Sequence, residues 1–270
     1  MKMIAHISDI HFGREEPDVV ERLVEKICEL QPDALVVSGD LTQRARKTQF
    51  EQARAMLDRL PMPQIVVPGN HDVPLYNVVQ RFINPLDKYK KYISEELQPF
   101  YCDDELAIAG INTARSLTIK GGRINGKQVA EIRLRMADLP EEMLKVVVTH
   151  HPFDVPDNVD EKDIVGRAKK AMPLIAESGA DVFLSGHLHV SHIGHSARRY
   201  KLESGRNALI IQAGTAASVR ERGEENSFNL IEWDRPFLTV KRFQCSVSSA
   251  GFLLATDEQF TQSEAGWSRM

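Results

Sequence analysis

Six of the nine histidines in this 270-residue chain fall in four short clusters: Asp9-Ile-His11, Gly69-Asn70-His71-Asp72, His150-His151-Pro152 and Gly186-His187-Leu188-His189. A fifth cluster, Gly39-Asp40, adds a carboxylate. Carboxylates, an amide oxygen and imidazoles without a thiolate form a hard-to-borderline ligand set suited to Mn, Fe, Zn or Co. One ion of four- to six-fold coordination cannot use seven such ligands together. Two ions roughly 3.5 to 4 Å apart that share a carboxylate can. Each cluster alone is weak. An Asp-x-His pair arises often by chance, Asp40 alone reads as a turn or capping residue, and the segment between Pro68 and Pro74 reads as a turn. Either histidine of the pair at 150 and 151 could simply end a strand. Their conjunction is what points to chemistry.

Each cluster follows a short apolar run: residues 3–5, 34–37, 64–67, 146–148 and 181–184. Runs of that length bounded by polar residues read as buried strands, which gathers the clusters at one edge of a sheet. Asp9 and His11, two apart on an extended segment, would face the same side. Between the runs, residues 17–30 carry Val20, Leu23, Val24, Ile27 and Leu30 at helical spacing and end at Pro32. Further helices are predicted over 46–60, 127–139 and 168–178, the last stopped by Gly179. Residues 74–101, aromatic and basic, read as a helical excursion over the sheet edge. The tail changes style. Runs at 208–212, 228–233 and 237–243 follow one another without helices, which predicts an antiparallel second sheet.

Composition limits the alternatives. At 42% hydrophobic and 27% charged the chain can bury a full core as one domain, 1–270. The formal charge of −4 gives no global attraction to duplex nucleic acid. Cys28, Cys102 and Cys245 are odd in number, lack a CxxC pair and read as reduced thiols. The N-terminus turns polar at His6, too early for the apolar region of a signal peptide, and no run approaches a membrane span. Cytoplasm is the expected location.

In order and strand context the five blocks resemble the calcineurin-like metallophosphoesterase superfamily, in the pattern D-x-H, G-D, G-N-H-[D/E], H and G-H-x-H, over Asp9 to His189. The resemblance implies an α/β fold, a four-layer α/β/β/α sandwich of two mixed sheets flanked by helices. It also implies two divalent metal ions, Mn or Fe favoured among Mn, Fe, Zn and Co. One would be held by Asp9, His11, Asp40 and His189, and the other by Asp40, Asn70, His150 and His187. The implied reaction is attack of a metal-bridging hydroxide on a phosphoric ester. Asn70 and His71 would contact substrate, and Arg14, a cation close in sequence to the first cluster, is a further candidate for that contact. His71 would protonate the leaving oxygen, with Asp72 orienting its ring.

The G-D-L-T, G-N-H-D and H-H-P variants are similar to the small bacterial phosphodiesterases that act on cyclic nucleotides or glycerophosphodiesters, and unlike the protein phosphatase pattern. A phosphodiesterase of a small-molecule or lipid-derived substrate is therefore expected, with no stable duplex nucleic acid partner and oligomeric state left open. Phosphomonoesterase, nuclease and phospholipid head-group hydrolase remain alternatives, as does a non-catalytic scaffold. Sparse positive charge near the ligand clusters, Arg14 or Arg44 alone, favours a diester monoanion over a monoester dianion. Arg220 and Arg222 are too far along the chain to be placed.

Overall fold

A computed structural model describes residues 1–157, 159–219, 224–246 and 249–270. Arg220 and Arg222 lie outside the described residues. The N-terminal half alternates β1 (Lys2–Ile7), α1 (Pro17–Leu30), β2 (Ala34–Val37), α2 (Lys47–Leu57) and β3 (Gln64–Val66). The excursion that follows contains two short helices, α3 (Val78–Ile83) and α4 (Asp87–Tyr92). Next come β4 (Phe100–Cys102), β5 (Leu106–Ile111), α5 (Gly126–Ala137), β6 (Leu144–Thr149), α6 (Ala168–Ala176) and β7 (Val182–Ser185). The remaining strands are β8 (His192–His195), β9 (Leu209–Gln212), β10 (Asn226–Asp234), β11 (Phe237–Cys245), β12 (Leu253–Ser263) and β13 (Gly266–Arg269).

The strands form two mixed sheets, ordered β13-β12-β11-β10-β1-β2-β3 and β4-β5-β6-β7-β9-β8. Alternate residues of the central strands enter different layers, as the two-residue strand period requires. Ala5, Ile7, Leu35 and Val37 face α1 and α2, meeting Leu23, Ile27, Phe50 and Leu57. Ile4, Val36 and Ile65 face the other way, onto Ile108, Val146, Val148 and Leu184 of the second sheet. That sheet's outer face, with Ala109, Val147 and Phe183, packs on Ile132, Met136, Met172 and Ile175 of α5 and α6. Three apolar interfaces thus separate four layers, α/β/β/α. Strands covered on both faces have no solvent side, which is why they read as unbroken apolar runs.

The tail departs from expectation. β10 to β13 do not build a second sheet; they extend the first, with β10 antiparallel to β1 in the register Ala5↔Leu230. β9 joins the second sheet parallel to β7. β1 has β2 on one side only, and its open edge is completed by the tail.

At the end of the sandwich away from the clusters, Asp181 ties the sheets together. Its carboxylate accepts from Lys145 N at 3.1 Å and from Gln262 Nε2 at 2.8 Å, and its carbonyl accepts from Trp267 Nε1 at 3.1 Å. Burial, opposed by Lys145, Arg206 and Gln262, pushes the carboxyl from 3.8 up to about 6. A raised carboxyl favours the folded state only while protonated, so stability is lost as pH rises from 3.8 through about 6. At 1.36 kcal/mol per pH unit the loss reaches about 3 kcal/mol. Asp181→Asn should therefore gain Tm relative to wild type between about pH 4 and about pH 7. Thermal denaturation across that range tests it, and a constant difference would show that the carboxyl titrates normally.

Candidate metal centre

β1, β2 and β3 of one sheet and β6 and β7 of the other all deliver their C-terminal ends to the same rim. Asp9 and His11 follow β1, Asp40 follows β2, Asn70 and His71 follow β3, His150 follows β6, and His187 and His189 follow β7. Open α/β sheets present ligand sites at this end because the chain turns there without covering the strand termini.

The loops that carry these residues are not extended. Asp9, His11, Asp40, His187 and His189 have φ of 54°, 54°, 52°, 74° and 61°. Left-handed backbone at a non-glycine residue costs on the order of 1 to 3 kcal/mol and persists where neighbours over-determine it. Here they do. Asp9 N donates to Gly39 O at 3.1 Å, His11 N to Asp40 O at 3.0 Å and Gly186 N to His150 O at 3.1 Å, lacing the turns together. Asp9 and His11 are therefore aimed by these bonds and not by strand alternation. Glycines allow the approach: a Cβ on Gly186 would lie 1.8 Å from Ser8 Oγ and 2.5 Å from Asp9 Oδ2, and one on Gly69 would lie 2.1 Å from Asp40 Oδ1.

Two nests of ligand atoms result. In the first, His11 Nε2 lies 3.5 Å from Asp9 Oδ1 and 3.4 Å from His189 Nε2, which is itself 3.5 Å from Asp9 Oδ1. In the second, His150 Nε2 lies 3.1 Å from Asn70 Oδ1 and 3.3 Å from His187 Nδ1. Asp40 Oδ2 stands between them, 3.8 Å from His11 Nε2 and 3.4 Å from His150 Nε2. Its other oxygen accepts from His71 N at 2.8 Å. All of these except His187 and Asn70 are shielded almost completely.

Charge makes the same point. Asp9 Oδ2 accepts from Ser8 Oγ at 2.6 Å and His187 N at 2.9 Å, while Asp9 Oδ1, fully buried, has no hydrogen-bond partner among the described residues. A buried carboxylate oxygen without a donor is costly unless a cation answers it. Burial pushes the Asp40 carboxyl up, but His150, His71 and His11 overcome it and hold it well below the carboxylate range. Burial lowers the proton affinity of His150, and Asp40 more than restores it, to about 9. Positive charge is favoured in that gap. Burial, reinforced by His150, holds His187 near 3 and therefore neutral, the form that binds a metal. The donor set and the orphaned oxygen fit two divalent cations.

The residues flanking the nests separate into distinct roles. Both nitrogens of His151 are held by protein, Nδ1 by Thr113 Oγ1 at 2.8 Å and Nε2 by Lys120 O at 2.7 Å, which leaves His150 as the histidine of that pair facing the nests. His71 packs edge-on to His11, ring centres 4.8 Å apart. Its ring is oriented by Gln43, whose carbonyl accepts from Nδ1 at 2.9 Å, and not by Asp72 as expected. The Asp72 carboxylate instead accepts from Thr42 N, Thr42 Oγ1 and Gly69 N, each at 2.9 Å, and fastens the β2 and β3 loops. Arg14 is exposed and outside the cavity beside the nests. That cavity, about 190 Å³, is lined by Gln43, Arg44, Asn70, His71, Val73, Leu75, Arg81, Ile119 and Lys120. Its cations are more numerous than the sequence suggested, since Lys120 and Arg81 arrive from distant segments.

Thr215 escaped sequence reasoning. Its hydroxyl meets His189 Nδ1 at 2.8 Å and fixes that ring from the far side. The only signal was a small-residue run, Ala213-Gly214-Thr215-Ala216, after an apolar strand.

Comparisons with known proteins agree with this geometry. The chain is 26% identical over 202 residues to a probable cyclic nucleotide phosphodiesterase of Synechococcus, covering 70% of this chain and 74% of that one. It is 36% identical over 81 residues to the glycerophosphodiester phosphodiesterase GpdQ of Enterobacter lignolyticus, a match spanning 26% of this chain and 29% of that protein. A dimetal phosphatase from Danio rerio shares the fold, with TM-score 0.67 at 12% identity over 97% of this chain and 99% of that one. The profile of the calcineurin-like phosphoesterases matches residues 2–191, which hold every strand end and ligand atom described above, and the chain belongs to that family.

Proposed function

We propose that the protein is a two-metal phosphodiesterase, carried above all by Asp40 Oδ2 standing within 3.8 Å of a first nitrogen set and 3.4 Å of a second. One cation would be held by Asp9, His11, Asp40 and His189, and the other by Asp40, Asn70, His150 and His187, with Mn or Fe favoured. Bound there, the pair supplies Lewis acidity and an activated water. The chain supplies the rest. With Nδ1 on the Gln43 carbonyl, the acid-base chemistry of His71 falls to Nε2, which would protonate the departing ester oxygen. Substrate contacts would fall to Asn70, His71 and Lys120, which line one cavity.

Diester preference rests on cavity shape, because the expectation of few cations does not hold. Arg81 is engaged with main-chain carbonyls and Arg44 lies over the Tyr76 ring at 5.5 Å, so neither is presented as a bare charge. From Asn70 and His71 the cavity continues along Val73, Leu75 and Ile119, walls that suit a second ester substituent. The names of the cyclic nucleotide and glycerophosphodiester relatives support the same class.

Metal-dependent turnover of bis(p-nitrophenyl) phosphate tests the reading; a non-catalytic scaffold would show none. Thr215→Val should weaken metal binding roughly 10- to 100-fold by releasing the His189 ring. Titration of the metal-stripped chain reads this directly, and unchanged affinity would remove Thr215 from the site. His71→Ala should keep both metals and lower kcat by roughly 10² to 10⁴-fold. Alkyl esters should suffer more than p-nitrophenyl esters, which need little protonation; equal losses would end the general-acid role. Finally, kcat/KM should be higher for bis(p-nitrophenyl) phosphate than for p-nitrophenyl phosphate. A monoester advantage of roughly tenfold, about 1.4 kcal/mol in transition-state binding, would make the chain a phosphomonoesterase.

A further inference from the structure

Beside the cavity, α3 is built inside out. Its sole buried residue is Arg81, while Val78, Val79, Phe82 and Ile83 are 61%, 68%, 55% and 69% exposed. A helix on a soluble protein ordinarily turns its apolar stripe inward. Here the inward anchor is a guanidinium: Arg81 donates to the carbonyls of Ser116 at 2.7 Å and Pro74 at 2.9 Å, and also to Thr118 O. Those bonds draw the 115–118 loop against the helix and set Leu117, 84% exposed, and Ile119, 62% exposed, in the same neighbourhood. Tyr76 adds a ring at the N-terminal end. A cluster of outward apolar side chains on one rim marks a surface that something covers.

Charge identifies the cover. Residues 74–101 and 113–123 hold seven cations, Arg81, Lys88, Lys90, Lys91, Arg115, Lys120 and Arg123, against three acids, Asp87, Glu95 and Glu96, in a chain whose formal charge is −4. Lys90, Lys91, Lys120 and Arg123 are exposed. Lys90 lines a groove with Ile83 and Ser116, and Lys120 borders the catalytic cavity with Ile119. Aliphatic and aromatic side chains bordered by Lys90 and Lys120 match the interface of an anionic lipid surface, where apolar groups enter the acyl boundary and cations meet head groups. A second copy related by two-fold symmetry would set the same basic patch against itself. We propose that α3 and residues 117–120 dock the protein on anionic lipid surfaces. Because Ile119 and Lys120 line the cavity that holds His71 and Asn70, docking would present lipid-borne phosphoesters at its mouth; this consequence rests on the phosphodiesterase reading.

Cosedimentation of the metal-loaded full chain with phosphatidylcholine vesicles, with and without phosphatidylglycerol, tests the docking. Binding is expected only with phosphatidylglycerol and should weaken at high salt. Val79→Ser/Phe82→Ser, which changes exposed residues outside the metal nests, should bind these vesicles at least tenfold more weakly with unchanged turnover of bis(p-nitrophenyl) phosphate in solution. Lys90→Glu/Lys91→Glu should lose vesicle binding while leaving the apolar residues in place. Equal binding of wild type and both variants, equal binding to neutral vesicles, or a dimer in sedimentation velocity that the serine variant dissolves would each overturn it. Vesicle binding as expected from a chain that hydrolyses no diester would keep the docking and remove the catalytic reading.

Discussion

Asp40 is the residue on which the rest of the site depends. Its carboxylate is buried between imidazoles delivered by both sheets, His11 from one and His150 from the other. Such a group in a low-dielectric interior is tolerable only if positive charge compensates it from more than one side. The sandwich meets that demand by bringing two sets of strand ends to a single rim, which neither sheet alone could do. The need for cations thus follows from the topology, and the apolar layer between the sheets, with Ile4, Val36, Val146 and Leu184, holds the two half-sites at fixed separation.

Holding the centre ready has a local cost. Five of the grouped residues sit in left-handed backbone, and four of those, Asp9, His11, Asp40 and His189, also carry buried carboxylates or imidazoles with little solvent access. The interlaced main-chain bonds from Asp9 to Gly39 and from His11 to Asp40 make each turn part of its neighbour's support, so the strain is shared by the whole rim. Asp72 belongs to this scaffold. Bound to Thr42 and Gly69, it closes the loops of β2 and β3 upon each other, which keeps the Asp40 carboxylate against the His71 amide.

Much of this was legible because strands covered on both faces leave unbroken apolar runs, and five polar clusters that each follow such a run point together to one site. β1, β2, β3, β6 and β7 were readable for that reason, as was α1 from its helical spacing. What could not be read depends on proximity without sequence nearness. The side of β1 to which the tail adds, the Thr215 bond to His189, and the arrival of Lys120 beside His71 are set by folding alone. Asp72 faces Thr42 and Gly69 and not the His71 ring, a direction that adjacency in sequence does not specify.

The excursion shows how the fold separates chemistry from recognition. Its C-terminal part is locked to the sandwich by Tyr89, fully buried, whose hydroxyl donates to the Val66 carbonyl at 2.9 Å. Its N-terminal part, α3, is tethered chiefly through one guanidinium, so its outward residues contribute little to the core and can be set by whatever they meet. The metal nests sit on strand ends, with both covering layers of helices behind them. The surface that would choose the substrate sits on a short helix and a loop whose substitution leaves those layers untouched. The boundary runs between Asn70 and Leu75, where the chain leaves the sheet edge for the cavity wall.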